Sequence, residues 1–315
     1  MMNQNKKNEY STAKTKTTAS SILFDVIIYI VLALVVICTV YPFWNTIAIS
    51  FNEGLDSLRG GIKFFPRKFT LKNYQELFVT PRIFQAGIIS VTRTILQTVL
   101  SVFSVAMLAY ALSRKEFVIK KPLTTILVIS MYVNAGLIPG YMLMKNLHLL
   151  GRYAVYIVPA LVDVFNFILV RTYINGLPDS FVESARIDGA NEFRIFIQII
   201  MPLIVPSIAM ISLFTAVNAW NSWFDTYLYA SNKPKLHSLQ YVLMSILQQS
   251  QNQSTSATDA NSMAIAAGAG ASSAKSTPIS IRSAITVVAT LPILFVYPFV
   301  QKYFVVGMTI GGVKE

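Results

Sequence analysis

Few residues in this 315-residue chain have the types and spacing for chemistry, and each such grouping fails a specific requirement. Gly268 to Ser276 has the glycine content of a phosphate loop, but that motif needs Gly immediately before Lys so that the backbone can wrap a phosphate; here Ala274 precedes Lys275. The two histidines, His148 and His237, stand in no H-E-x-x-H pattern, so a zinc-protease site is unsupported. No G-x-S-x-G elbow presents a nucleophilic serine. The single cysteine, Cys38, lies inside an apolar run, which excludes an internal disulfide and any Cys-based metal motif. We therefore expect no catalytic residue, no metal ligand and no cofactor site in this chain.

The informative grouping is Asn175 to Pro206, N-G-L-P-D-S-F-V-E-S-A-R-I-D-G-A-N-E-F-R-I-F-I-Q-I-I-M-P-L-I-V-P. Pro178 suits the first turn of a helix, Asp179 and Glu183 its N-terminal half, and Gly189 its C-terminal stop. The pattern predicts a short helix, a tight turn and a second helix. Phe193, Phe196, Ile197 and Ile200 recur at helical spacing and suit packing against a larger body, while Ser184, Ala185, Gly189 and Ala190 form a small-residue surface. Two readings follow from spacing alone: an amphipathic connector lying on a membrane surface, or a short helix presented to a partner's groove.

The elements that must carry this segment are apolar. The chain is 54% hydrophobic and 13% charged, with a mean hydropathy of +0.55, which points to an all-α polytopic membrane protein rather than a soluble domain or a secreted disulfide scaffold. The net charge of +12 is scattered through short inter-span segments, which argues for membrane topology and against nucleic acid. Six spans of near 20 apolar residues are expected: Ile22 to Trp44, Ala86 to Leu112, Pro122 to Tyr141, Arg152 to Arg171, Pro202 to Tyr227 and Ile281 to Phe304. The first continues too far for a cleaved signal peptide. Residues 1–21 read as a polar cytoplasmic tail, and 22–315 as one transmembrane domain. Basic residues are denser in the tail, the second-to-third loop, the 172–201 loop and the C-terminus, which places both termini inside. Trp44, Trp220 and Trp223 then fall at outer span ends, where Trp prefers to sit.

Two long outer segments remain. Residues 45–85 read as a turn-rich loop with a short amphipathic helix near Leu71 to Phe78, and 228–280 contains a Gln/Ser/Ala/Gly-rich insert at 248–277, expected to be flexible. Polar residues inside spans are candidates for a solute pathway. These are Asn166 in the fourth span and Asn218 and Asn221 toward the outer end of the fifth; helix–helix hydrogen bonding is the alternative for Asn166 and Asn218. Trp220 and Trp223 suit either stacking on a sugar face or interfacial anchoring. Asp163 is expected to face the interior or pair with a base, and Arg93 to reach the outer headgroups. Pro202 and Pro206 suit a helix start and a kink, and Gly136 and Gly140 form a G-x-x-x-G interrupted by Pro139.

E-S-A-R-I-D-G-A at Glu183 to Ala190, with nine residues between Gly189 and I-I-M-P ending at Pro202, resembles the E-A-A-x-x-x-G-x(9)-I-x-L-P loop of ATP-binding-cassette import permeases. It departs from that pattern at Ser184 and Met201, both conservative in volume. A-Y-A-L-S-R at Ala109 to Arg114, A-G-L-I-P-G-Y at Ala135 to Tyr141, A-W-N at Ala219 to Asn221 and T-L-P-I-L-F-V-Y-P-F-V-Q-K-Y-F at Thr290 to Phe304 resemble the carbohydrate-uptake branch. G-M-T-I-G-G-V-K-E at the C-terminus and G-G-I-K-F-F-P-R-K-F-T-L-K-N-Y at Gly60 to Tyr74 are similar to its complex-oligosaccharide and polysaccharide subgroup.

The resemblance implies a type I importer permease (MetI-like) fold and half of a two-permease pore for an oligosaccharide. The partners it implies are a second permease, two cytoplasmic ATPase subunits that bind ATP and Mg, and an extracellular solute-binding lipoprotein. It assigns the ATPase contact to Glu183, Ser184, Ala185, Asp188, Gly189, Ala190 and Pro202. For Glu183 the hydrogen-bond donor is either a base on the ATPase or Arg186 or Arg194 within the loop. The rivals are a self-contained secondary transporter, for which no clear internal repeat is present, and a membrane-embedded glycosyl-transferring enzyme, which should cluster acidic residues at one membrane face.

Overall fold

The structure, a computed structural model, describes residues 19–79, 81–133, 135–256 and 277–312. The tail up to residue 18, the glycine-containing part of the insert from 257 to 276 and the last three residues lie outside that description.

Among the described residues the secondary structure is helical. The order is α1 (Ala19–Ser50), α2 (Gly54–Leu58), α3 (Lys72–Val79), α4 (Pro81–Ser113), α5 (Lys120–Tyr132), α6 (Leu137–Asn146), α7 (Val164–Asn175), α8 (Ser180–Ile187), α9 (Glu192–Ile195), α10 (Met201–Leu203), α11 (Val205–Asn221), α12 (Phe224–Ala230), α13 (Leu239–Ser256) and α14 (Pro278–Gly312). Residues 22–50, 81–113 and 279–296 form helices long and apolar enough to cross a membrane. Two bent pairs, 153–160 with 164–175 and 192–203 with 205–221, qualify when each is taken as one span, with bends of 44° and 83°.

Several expected spans are broken, each for a visible reason. The stretch 122–141 is two helices: α5 ends at Tyr132, and Gly136, at φ +86°, precedes α6. That positive φ explains why Gly is there, so Gly136 serves the break between α5 and α6 rather than a helix-dimer seam. The stretch 152–171 begins as two 3₁₀ turns, Tyr153–Tyr156 and Val158–Ala160, before α7. At the fifth, a π-turn over Phe196–Ile200 leads through α10 to a sharp bend at Ile204, and Pro206 sits in the first turn of α11, where its missing N–H costs nothing. The expected helix to Tyr227 also stops early, with extended backbone at Ser222 between α11 and α12.

α4 is the central element, packed against α11 and α7. Its C-terminal half presents Val105, Ala106 and Ala109 to a buried inner cluster with Phe167, Val170, Ile195, Phe196 and Ile211. The small residues allow close helix approach, which is how helices associate where lipid removes the hydrophobic drive. A second cluster joins Leu77 of α3, Ala86 of α4, Trp220 of α11 and Ile285 of α14. α1 stands apart: apolar side chains such as Leu23, Ile30 and Ile37 are exposed along it, and it lies against α14. Its C-terminal end is tied to the following segment by Trp44 Nε1 donating to Phe64 O at 2.7 Å and by Asn45 Nδ2 donating to Ile62 O at 2.7 Å. Within that segment Arg67 pairs with Asp56, and buried Asn73 donates to Ser50 O and Asn52 O, so it is a built knot rather than a loose loop.

Candidate functional site

The segment with the strongest sequence signal folds as a helical hairpin beneath the inner cluster. α8 closes with a Schellman arrangement: Gly189 N–H donates to Arg186 O and Ala190 N–H to Ala185 O, each at 3.0 Å, with Gly189 at φ +77°. Asn191 caps α9 by accepting from Arg194 N at 2.8 Å. Pro178 precedes α8 instead of lying in its first turn, and Asp179 occupies the N-cap. Val182 and Ala185 turn inward onto the inner cluster. Glu183, Ser184, Asp188, Gly189 and Pro202 are exposed, and Ala190 is partly buried. Ala185 is thus a packing residue in this arrangement, because its 7% exposure leaves little for a partner. Ile187, 87% exposed at the tip of α8, is an apolar knob absent from the residues expected to make the contact. Its signal in the sequence is E-S-A-R-I-D-G, an aliphatic residue between two charged ones.

A charged lattice fixes this hairpin to the α4–α5 connection. Arg186 pairs with Glu192 at 2.8 Å and with Glu116, Tyr110 donates to Glu192 at 2.5 Å, and Lys115 pairs with Asp179 at 2.6 Å. Arg186 hydrogen bonding, together with a backbone bond, holds Glu116 at about 2. The Tyr110 hydroxyl, ahead of Arg186, lowers Glu192, and the Lys115 ammonium lowers Asp179, so all three carboxylates are ionised at neutral pH. Arg194 donates instead to Gln198 at 2.9 Å, and Arg186 is committed to the other two carboxylates. Neither intraloop base pairs with Glu183, whose charge faces outward.

The candidate pathway residues gather around two cavities. One, of about 580 Å³, is lined by Thr94, Asp163, Asn166, Asn218 and Trp220 with apolar residues of α11 and α14. The other, of about 520 Å³, is lined by Arg93, Gln97, Asn218, Asn221, Trp223 and Asp225 among others. Asn218 belongs to both. Asn166 is buried and donates to Thr215 at 3.3 Å, realising the helix–helix alternative. Trp220 is buried and donates from Nε1 to Ala289 O at 2.8 Å, so it braces α11 against α14 rather than anchoring at an interface. Trp223 is half-buried and packs edge-on to Phe224. Asp163 acts locally, its carboxylate capping α7 by accepting from Asn166 N at 2.7 Å.

Arg93 overturns its expectation. It is 2% exposed, pairs with Asp225, and lies with its guanidinium 4.5 Å from the centre of the Tyr156 ring. It faces inward because Asp225, at the start of α12, neutralises it there; a lone Arg at the same depth would have to turn toward water. Arg93 also reaches Ser222 O at 3.4 Å, where the break between α11 and α12 frees a carbonyl.

Residues 90–310 match the family described as binding-protein-dependent transport system inner membrane component. The chain is 35% identical to the polygalacturonan/rhamnogalacturonan transport system permease protein YtcP of Bacillus subtilis strain 168, over 93% of this chain and 98% of that one. It is 35% identical to protein LplC of the same organism, over 94% of this chain and 97% of that one. Its fold matches a chain from the crystal structure of a bacterial ABC transporter involved in import of the acidic polysaccharide alginate, with a TM-score of 0.80 and 25% identity over 92% of this chain and 99% of that one.

Proposed function

The chain belongs to the family of binding-protein-dependent transport system inner membrane components, and from that premise we propose that it forms half of the pore of an ATP-driven importer of oligosaccharides. In this reading it lies in the bacterial cell membrane with six crossings and both termini cytoplasmic. It assembles with a second permease, two cytoplasmic ATPase subunits that bind ATP and Mg, and an extracellular solute-binding lipoprotein. The polysaccharides for which its relatives are named support a saccharide cargo. The chain itself performs no covalent step.

One observation carries the reading: α8 is a rigid helix whose Glu183, Ser184, Ile187 and Asp188 face outward, while Val182 and Ala185 fasten it to the bundle. A short helix with one face packed and the other bare suits a groove on a partner. The ATPase groove closes on that outer face when nucleotide binds. Through Arg186, Glu116, Glu192 and Tyr110 the movement reaches α4, and through the α9–α11 bend it reaches α11. Those two helices wall both cavities. Asn166, Asn218, Trp220, Asn221 and Trp223 then border the solute's route, with amides for hydroxyl groups and an indole for a sugar face.

The test is a native pull-down from the organism's own membranes with mass spectrometry and an ATPase assay. A second permease and an ATPase should co-purify, and Glu183→Ala should weaken ATPase retention. Recovery of the chain alone refutes the importer and favours a self-contained transporter.

A further inference from the structure

α4 carries its polar residues on the buried side. Between residues 91 and 100 the exposed positions are apolar apart from Thr92, namely Val91, Ile95, Leu96, Val99 and Leu100, whereas Arg93, Thr94, Gln97 and Thr98 are turned inward. At 3.6 residues per turn these four fall within an arc of about 140°. Arg93 meets the Asp225 carboxylate through both terminal nitrogens, although its Nε is left without a partner. The other three carry unanswered groups: Thr94 Oγ1, Gln97 Oε1 and Thr98 Oγ1 are buried without a hydrogen-bond partner.

Helix packing does not explain them. An inward polar group that serves packing is bonded across the interface, as Asn166 is to Thr215. A helical threonine can otherwise bond the carbonyl four residues back, as Thr92 does to Ile88 O at 2.8 Å. Thr94 and Thr98 do neither. Three neighbouring orphans on one face bear an uncompensated desolvation cost, and such groups call for an explanation beyond stability. Their position supplies one. Thr94 lines one cavity, Gln97 lines the other, and Asn218 lies on both walls, while Thr98 stands about one turn on from Thr94 on the same face of α4.

We propose that Thr94, Gln97 and Thr98 form a wall of the translocation path, closed off in this conformation and wetted when the two cavities join. There they replace water around the hydroxyl groups of the passing saccharide, and so help determine which cargo passes. This rests on the importer reading. Hydroxyl and amide groups both donate and accept hydrogen bonds, as sugar hydroxyls do, and being neutral they let go of the cargo as readily as they take it up.

The test uses the complete complex in membrane vesicles. Cys38 is the chain's single cysteine and sits exposed on α1, so Cys38→Ser gives a background for Thr94→Cys, Gln97→Cys and Thr98→Cys, with Ile95→Cys and Val99→Cys as lipid-side controls. The probe is the water-borne reagent 2-sulfonatoethyl methanethiosulfonate. The cysteine thiolate attacks its sulfenyl sulfur, forming a mixed disulfide and expelling methanesulfinate. During ATP turnover the three stripe cysteines should label about tenfold faster than the two controls, because the reagent reaches only thiols that water reaches. Equal rates on both faces, or no stripe labelling in any nucleotide state, overturn the proposal. Each variant is checked for ATPase co-purification, and the three positions report independently if one fails to assemble. Absence of any ATPase in the parent complex would refute the importer reading instead, and the labelling pattern would still decide whether the stripe meets water.

Discussion

Asp225→Leu removes the carboxylate that faces Arg93 and leaves a guanidinium that is 2% exposed with the Ser222 carbonyl at 3.4 Å and the Tyr156 ring for company. Breaking a buried ion pair from one side costs about 3–5 kcal/mol, because the surviving charge stays desolvated. The reverse change, Arg93→Met, should be milder. Asp225 retains 21% side-chain exposure and keeps its bond from Thr226 N at 2.8 Å, so water and the α12 backbone take over part of the lost interaction. We expect about 3–4 kcal/mol for Asp225→Leu and about 1–2 kcal/mol for Arg93→Met, given that exposed charges are cheaply resolvated. The double variant Arg93→Met/Asp225→Leu removes both charges and should fall within about 1 kcal/mol of the parent, as replacement of buried pairs by apolar residues commonly does. Melting of the detergent-solubilised chain, followed by size-exclusion fluorescence, reads these differences at about 2–3 °C per kcal/mol for a chain of this size. Asp225→Leu should therefore lose roughly 6–12 °C and the double variant under about 3 °C. A double variant as unstable as Asp225→Leu, or an Arg93→Met that costs more than Asp225→Leu, would refute the argument that Arg93 is held inward by charge compensation.

Two further outcomes are expected. Gly189 has open space where a Cβ would stand, so its constraint is conformational alone; Gly189→Asn, which tolerates a positive φ, should keep ATPase co-purification, whereas Gly189→Val should lose it at a cost of about 1–2 kcal/mol to the turn. Equal retention in both variants would show that the Schellman turn is not needed. His237 is buried between Ser231 O at 3.0 Å and Arg82 at 3.5 Å, and burial first, then the Arg82 charge, lowers its pKa below 6.5. The fold favours the neutral ring, so its contribution is complete above about 6.5 and is lost as pH falls below that value. Wild type should lose more melting temperature between pH 8 and pH 5.5 than His237→Gln, and parallel losses would assign the acid sensitivity elsewhere.

The α8–α9 hairpin was legible in the sequence because its determinants are local. Gly189 stops α8 through its own φ, Asn191 caps α9 through a bond three residues long, and Pro206 sits in the first turn of α11, so neighbours along the chain suffice to predict them. The apolar runs likewise announced a helical membrane protein, since a spanning segment must satisfy its backbone internally. The same runs gave no warning that 122–141 divides before α6 or that the fifth stops at Asn221, because hydropathy reads apolar content and is blind to backbone conformation.

Tertiary structure decided the rest. Asp225 lies 132 residues from Arg93, and Glu116 lies 70 from Arg186; no local pattern pairs them. Trp220 looked interfacial until Ala289 of α14 supplied its acceptor. Which face of α4 turns inward was undetermined for the same reason. Lipid and protein core are equally apolar, so hydropathy marks α4 as membrane-spanning without orienting it, and only contact with α7 and α11 places Thr94 and Gln97 beside the cavities.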